Sequence, residues 1–195
     1  MSYAVIPLQN FMDTLGEDSV EKILSSFLCP RNLDIETFIR NKAFLSNKQR
    51  TSITHLVFEE KDRMRAPVGF FSLANKILNG AKENFPRKLW DRVKRFAILA
   101  GGRYQFASVL IAQLGKNYAD GLDKRISGEE LLGLAINEVR RAQMIVGGKT
   151  TYLECEDTPK LRAFYERNGF SYIGRRAAGD DDHSDLLLQY IRWVE

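Results

Sequence analysis

TTYLECEDTPKLRAFYERNGFSYIG, residues 150–174, is the stretch on which the fold turns. Its first six residues, TTYLEC (150–155), are β-branched and apolar, the composition of a strand. Thr158-Pro159 then supplies a helix N-cap and a proline at the first helical position, where the missing N–H costs nothing. The helix is expected to run to about Arg167, and Asn168-Gly169 to stop it in a left-handed turn. Residues 170–175 read as the next strand.

Working outward, residues 128–146 place Leu131, Leu132, Ala135, Ile136, Val139 and Ala142 on one helical stripe. Ser127 and Glu130 have capping-box spacing at its start, and Gly147-Gly148 ends it. Residues 104–114 (YQFASVLIAQL) are the most apolar strand, followed by the loop GKNYADGLDKRI. Residues 51–60 and 67–74 read as a hairpin across a charged turn. Upstream, 3–8 reads as a short strand, 18–28 as a helix capped by Asp18, and 34–48 as a second helix. Downstream, a strand at 185–194 follows the acidic loop GDDDHSD, which reads as a solvated hairpin tip. The order predicts an α/β fold: a mixed central sheet flanked by helices on both faces.

The charge is unevenly spread. Residues 76–103 carry Lys76, Lys82, Arg87, Lys88, Arg92, Lys94, Arg95 and Arg103 against Glu83 and Asp91, so this segment is +6 in a chain of net charge +4. It is expected to hold one helix near 86–97, closed by Gly101-Gly102, as a basic helical insertion within a single domain spanning 1–195. Such a segment serves either as a solvated face or as a surface for phosphates.

Residues FYERNGF (164–170), between two strands, resemble the last conserved motif of the GNAT acetyltransferases. The resemblance implies a GNAT-like fold and acetyl-CoA as co-substrate. It also implies Tyr165 as the catalytic acid that protonates the coenzyme A thiolate as it leaves. The family often has Asn at the helix start and Ala three residues on, where this chain has Thr158 and Leu161. DKRISGEELLGLA stands where the family's pyrophosphate loop should be. Only Gly128 is retained there, with Ile126 in place of the first glycine and two carboxylates, Glu129 and Glu130, in the first turn. The coenzyme contacts implied are Lys124, Arg125, Ser127, Gly128 and Glu129 at this loop, Thr158 at the second helix, and the backbone of Leu114, Gly115 and Lys116 beside the pantetheine arm.

A second resemblance lies upstream. Phe27, Cys29, Leu33, Asp34, Phe38, Ile39, Thr54 and Val57 are similar to the N-terminal part of GNAT toxins from toxin–antitoxin pairs, which acetylate the amino acid on charged tRNA. Together the resemblances cover roughly 27–75 and 104–175, and they make tRNA, met through 76–103, a candidate partner. Glu154 and Glu156 flank Cys155 on one strand face, and either could take the amine's proton, directly or through water; Glu154 is the candidate general base, and water or backbone groups alone are the alternative.

Other classes are bounded by what is missing. Cys29 and Cys155 form no CxxC pair, His55 and His183 make no cluster, and His55 sits in an apolar strand pattern, so neither a disulfide framework nor a metal site is expected. The chain has no run of eighteen apolar residues and no signal-peptide pattern at MSYAVIPLQNFMDTLGEDS, which makes a membrane location unexpected and a cytoplasmic one the default. The leading reading is an N-acetyltransferase acting on a primary amine. A non-catalytic GNAT-fold binding module and a basic nucleic-acid-binding protein are the alternatives, and the oligomeric state, a dimer included, is open.

Overall fold

Eight strands among the described residues hydrogen-bond into one mixed sheet in a computed structural model that describes residues 2–62, 66–177 and 186–195. The chain runs β1 (Tyr3–Pro7), α1 (Leu8–Leu15), α2 (Glu17–Ser25), α3 (Leu33–Thr37), a π-helical turn (Phe38–Lys42), α4 (Ala43–Lys48), β2 (Ile53–Glu59) and β3 (Pro67–Gly80). It continues with α5 (Arg87–Val93), β4 (Ile98–Ala100), β5 (Arg103–Lys116), α6 (Gly128–Val146), β6 (Thr150–Cys155), α7 (Pro159–Arg167), β7 (Ser171–Ala177) and β8 (Leu186–Trp193). The strand order is β1-β2-β3-β5-β6-β8-β7, with β4 on β5. The expected acidic loop and His183 lie outside the described residues. Two compact units make up the chain: Met1–Ala74 with Ile111–Glu138, and Asn75–Leu110 with Val139–Glu195.

In the first unit, β1, β2 and β3 form an antiparallel meander, with Val5 opposite Val57 and His55 opposite Phe71. Leu8, Val20, Leu24, Phe27, Ile39, Ala43, Leu56, Phe58 and Phe70 are its core. Each of these side chains except Ala43 contributes roughly 1.5–3 kcal/mol on burial. Phe27 meets Phe70 edge-on at 5.4 Å, and Phe38 stacks on it at 6.4 Å. The hydroxyls of Thr54 and Ser72 pair at 2.7 Å between β2 and β3, and the Thr54 N–H donates to buried Asn47.

Three expectations are corrected here. Residues 8–15 are helical although they were not expected to be; Leu8 is buried, with Phe11 and Met12 packed against the same core, and that apolar face outweighs a first turn without a side-chain cap. The next helix is capped by Gly16, not Asp18, and Asp18 sits inside its first turn, where a carboxylate favours the helix dipole. The 34–48 helix is interrupted by the π turn at Phe38–Lys42; it starts at Asn32, whose side chain accepts the Ile35 N–H at 3.0 Å.

In the second unit, β6 pairs antiparallel with β8 and β8 with β7. Leu78, Phe85, Leu89, Trp90, Val93, Phe106, Tyr152, Ile173 and Ile191 form its core. Five of these come from 76–103, so the basic segment builds a wall of this unit. Its first five residues extend β3 to Gly80, and its expected helix is shorter, Arg87–Val93. Gly101-Gly102 closes a β4–β5 hairpin in place of a helix: Ala100 pairs with Arg103, and φ of +57° and +74° gives the two-residue turn that suits strand twist.

α6 spans the expected residues, with Leu131, Leu132, Ala135, Ile136 and Val139 buried. β6 and α7 also fall where the sequence placed them. Among the described residues no helix is long and apolar enough to cross a membrane.

Candidate active site

The candidate acid, Tyr165, lies in the second unit. Successive side chains along β6 alternate between faces, so Leu153 and Cys155 share one side while Tyr152 and Glu154 take the other. Leu153 is opposite Tyr190, and Cys155 opposite Leu188, on β8. The chain leaves β6 and enters α7 at Thr158, whose side chain accepts the Leu161 N–H at 3.3 Å. Thr158 thus caps α7, and its hydroxyl proton is left for a further acceptor.

α7 sets the Tyr165 ring among Phe164, Phe170 and Tyr190, with centroids 5.1, 5.9 and 5.9 Å away. Tyr165 is only 8% exposed. Among the described residues its Oη makes no hydrogen bond. Burial, and secondarily the Cys155 sulfur, push the phenol well above the ordinary tyrosine range, so the proton stays on at physiological pH. By contrast, the buried Tyr190 donates to Glu166 Oε1 at 3.3 Å. A neutral phenol with an uncommitted proton is a donor in waiting.

Glu154 belongs elsewhere. Its Oε2 accepts from Arg176 at 2.8 Å and its Oε1 from Gln189 at 2.9 Å. It shares a β6 face with Tyr152, which packs into the core built by the basic segment, whereas Tyr165 neighbours Cys155 and Tyr190 on the other face. The fold therefore does not bring the candidate base to the candidate acid. Cys155 is free and buried, its thiol pushed up to about 11 by desolvation first and then by Asp157 and Glu156.

Most residues of the implied coenzyme contact set lie in the first unit. β5 pairs with β6 only at Val109–Thr151 and Leu110–Tyr152, and then runs on to Lys116 without a β6 partner among the described residues. Leu114, Gly115 and Lys116 are on this stretch. The edge is the one expected to receive a pantetheine arm. Gly115 has a packing reason as well: a Cβ there would stand 2.6 Å from Ile35 Cγ2 and 2.8 Å from Phe70 Cε1.

At the start of α6 the capping box is closed. The Ser127 N–H donates to Glu130 Oε2 at 2.8 Å, and the Glu130 N–H donates to Ser127 Oγ at 3.1 Å. The bond from the Ser127 N–H holds the Glu130 carboxyl below the ordinary glutamate range, helped by the hydroxyls of Ser127 and Tyr3. The Arg125 carbonyl accepts from the Tyr3 hydroxyl at 2.8 Å, and its guanidinium lies 3.6 Å from Glu59. Lys124 is exposed, Gly128 begins the helix, and Glu129 occupies its first turn. Of the implied diphosphate contacts, Ser127 and Arg125 are thus engaged with the chain's own groups.

Two participants escaped the sequence reading. Tyr3 lies on the far N-terminal strand, 122 residues from its partner Arg125, and no local pattern joins them. Asn117, in KNYADG, is 1% exposed; its Oδ1 accepts from the Leu28 and Ala119 N–H groups and its Nδ2 donates to the Pro67 carbonyl, tying β5's end to two other segments. A lone Asn just after a strand was its signal.

Within the basic segment, Arg92 is ion-paired with Glu195 at 3.2 Å and Lys94 with Asp91 at 2.7 Å. Lys82, Glu83, Phe85, Arg87 and Trp90 line an open cavity of about 330 Å³.

No family model matches this chain, and no curated protein does either. Solved structures do. The structure titled AtaT complexed with acetyl-methionyl-tRNAfMet is similar at 17% identity and a TM-score of 0.62, over 96% of this chain and 94% of that one. A Tyr-to-Phe mutant of KacT is similar at 16% identity and a TM-score of 0.64, over 97% and 95%. A Tyr-to-Phe mutant of the AtaT toxin, bound to the C-terminus of the antitoxin AtaR and acetyl-CoA, is similar at 14% and 0.62, over 100% and 94%. At these identities the likeness is one of fold, and it agrees with the GNAT-like architecture read from the sequence.

Proposed function

We propose that this chain is an acetyl-CoA-dependent N-acetyltransferase working as one domain over 1–195 in the cytoplasm, with the amino group of an aminoacyl-tRNA as acceptor. The observation that carries the reading is Tyr165: a phenol kept protonated by burial, its Oη without a hydrogen-bond partner among the described residues, on the helix that follows β6. In the reaction the amine nitrogen bonds to the acetyl carbon, the carbon–sulfur bond breaks, and the Tyr165 proton goes to the departing sulfur. The amine's surplus proton leaves to water, and solvent reprotonates the phenol. No side-chain base is assigned, because both Glu154 oxygens are held by Arg176 and Gln189.

Acetyl-CoA supplies the activated acetyl group. The backbone of Leu114–Lys116 is the part of this chain suited to its extended arm, with Lys124, Arg125, Gly128 and Glu129 nearest in sequence to its phosphates. The tRNA acceptor is supported by the AtaT neighbour's acetyl-methionyl-tRNAfMet and by the +6 charge of 76–103, a sign that suits a phosphate backbone. Two free, buried cysteines suit a reducing compartment.

The test is to incubate the protein with isotopically labelled acetyl-CoA and either aminoacylated or deacylated tRNA, and to examine the released amino acids by mass spectrometry. N-acetylated amino acid from the charged pool alone supports the proposal; its absence from every charged tRNA refutes this acceptor. A second reading, a coenzyme-binding module without turnover, is favoured by the closed capping box at α6. Ligand-induced stabilisation by acetyl-CoA with no acetylated product on any amine would mark it.

A further inference from the structure

A helix N-terminus attracts anions because its first N–H groups lack carbonyl partners and the helix dipole adds positive potential. At α6 the Ser127 and Glu130 N–H groups are met from within. The Glu130 carboxylate accepts the Ser127 N–H at 2.8 Å, and the Glu130 N–H is taken by Ser127 Oγ at 3.1 Å. The Leu131 N–H closes onto the Ser127 carbonyl at 3.1 Å. Around this turn the Arg125 guanidinium lies 3.6 Å from Glu59 and Lys124 is exposed.

We infer that Glu130 is a resident anion at the α6 N-terminus that competes with the co-substrate's diphosphate, so that the chain recognises its acyl donor mainly through the pantetheine–thioester arm. The inference rests on the acetyltransferase reading and deepens it by assigning a residue that sets donor selectivity. It turns an apparent defect, the replacement of the glycine-rich loop by ISGEE, into a property with a consequence. A donor lacking phosphates should be bound nearly as well as acetyl-CoA. The diphosphate should become useful only once the carboxylate charge is removed.

Glu130→Gln separates this from a purely structural cap, because glutamine also fills the third position of a capping box while carrying no charge. Calorimetric dissociation constants would be measured for acetyl-CoA and for S-acetylpantetheine, which has no phosphates, at low and high salt. The parent is expected to bind the two ligands within about tenfold of each other, equivalent to ~1.4 kcal/mol. In the variant, acetyl-CoA should bind about tenfold tighter at low salt, with the gain lost at high salt, while S-acetylpantetheine is unchanged. Acetyl-CoA binding that is unchanged or weaker in the variant overturns the inference, as does a parent that prefers acetyl-CoA by more than about a hundredfold. If the parent binds neither ligand, the acetyltransferase reading falls and takes this inference with it. If it binds both but the variant gains nothing, only the inference falls. Glu130→Ala, which removes charge and cap together, should lower the melting temperature, whereas Glu130→Gln should hold it.

Discussion

Replacing Tyr165 with phenylalanine removes one oxygen from a ring that is 8% exposed and lies among Phe164, Phe170 and Tyr190. The oxygen makes no hydrogen bond among the described residues, so no partner is orphaned by its loss. A buried polar group without a partner costs about 1–3 kcal/mol, and the residue retains 8% exposure, so only part of that cost applies. The variant should therefore be as stable as the parent or up to about 1 kcal/mol more stable, a melting-temperature change between zero and about +4 °C. Turnover should move the other way. Loss of a general acid lowers kcat by about 100- to 10,000-fold, or ~2.7–5.4 kcal/mol of barrier. The assay is differential scanning calorimetry beside initial-rate kinetics on the same preparations, with the acetyl-CoA dissociation constant as control. Stability held or gained while catalysis collapses is the signature of a group kept for chemistry. A drop of more than about 3 °C would mean that the hydroxyl has a structural partner, and a kcat within threefold of the parent would refute the acid role.

Trp90→Ala should destabilise the second unit by about 3–5 kcal/mol, since Trp90 is 9% exposed and packs on Phe85 and Tyr104 in the core built by the basic segment; a chemical-denaturation shift under 1 kcal/mol would show that segment to be dispensable. Gly115→Ala forces a methyl to within 2.6 Å of Ile35 Cγ2 and 2.8 Å of Phe70 Cε1, and should cost about 1–3 kcal/mol, with part recovered in an Ile35→Ala background; a neutral Gly115→Ala would contradict the close packing at β5. Alkaline pH should loosen the fold. Burial raises Cys155 from 9.0 to about 11 and Tyr152 from 10.0 to about 12, so the folded state holds protons that the unfolded state releases. That contribution is complete below about pH 9 and is lost as the pH rises toward 12, so the melting temperature should fall across this window; a flat profile from pH 9 to 11 would contradict the burial of these groups.

How far the sequence could be read depended on whether a residue's partner was local. α6 was legible because Leu131, Leu132, Ala135, Ile136 and Val139 repeat on one face within the element, and its capping box spans three residues. The β6–α7 unit was legible for the same reason: Thr158, Pro159 and Gly169 punctuate it in sequence. α1 was missed because a short segment with the polar residues Gln9, Asn10, Asp13 and Thr14 owes its helix to a core face supplied by Val20, Leu24 and Phe58. β3 was cut short because Asn75, Lys76 and Asn79 are exposed and look like loop, while Leu78 alone among them goes into the core. The basic segment misled through its charge: the cations that dominate its composition stand around Leu89, Trp90 and Val93, which build the unit. At the site, Tyr165 was legible as a motif residue. Strand alternation alone could have separated Glu154 from it, but the partners that occupy Glu154 come from β7 and β8. Tyr3, which braces the Arg125 carbonyl, belongs to a strand that no local signal connects to that loop.

The most direct test is the release of free coenzyme A thiol from acetyl-CoA, followed spectrophotometrically with and without a pool of aminoacyl-tRNA, for the parent and for Tyr165→Phe. One thiol per acetylated acceptor, dependent on the charged tRNA and reduced at least a hundredfold by the substitution, is the expected result. Acetyl-CoA that binds yet yields no acceptor-dependent thiol, or thiol release that the substitution leaves intact, would contradict an enzyme whose chemistry runs through that phenol.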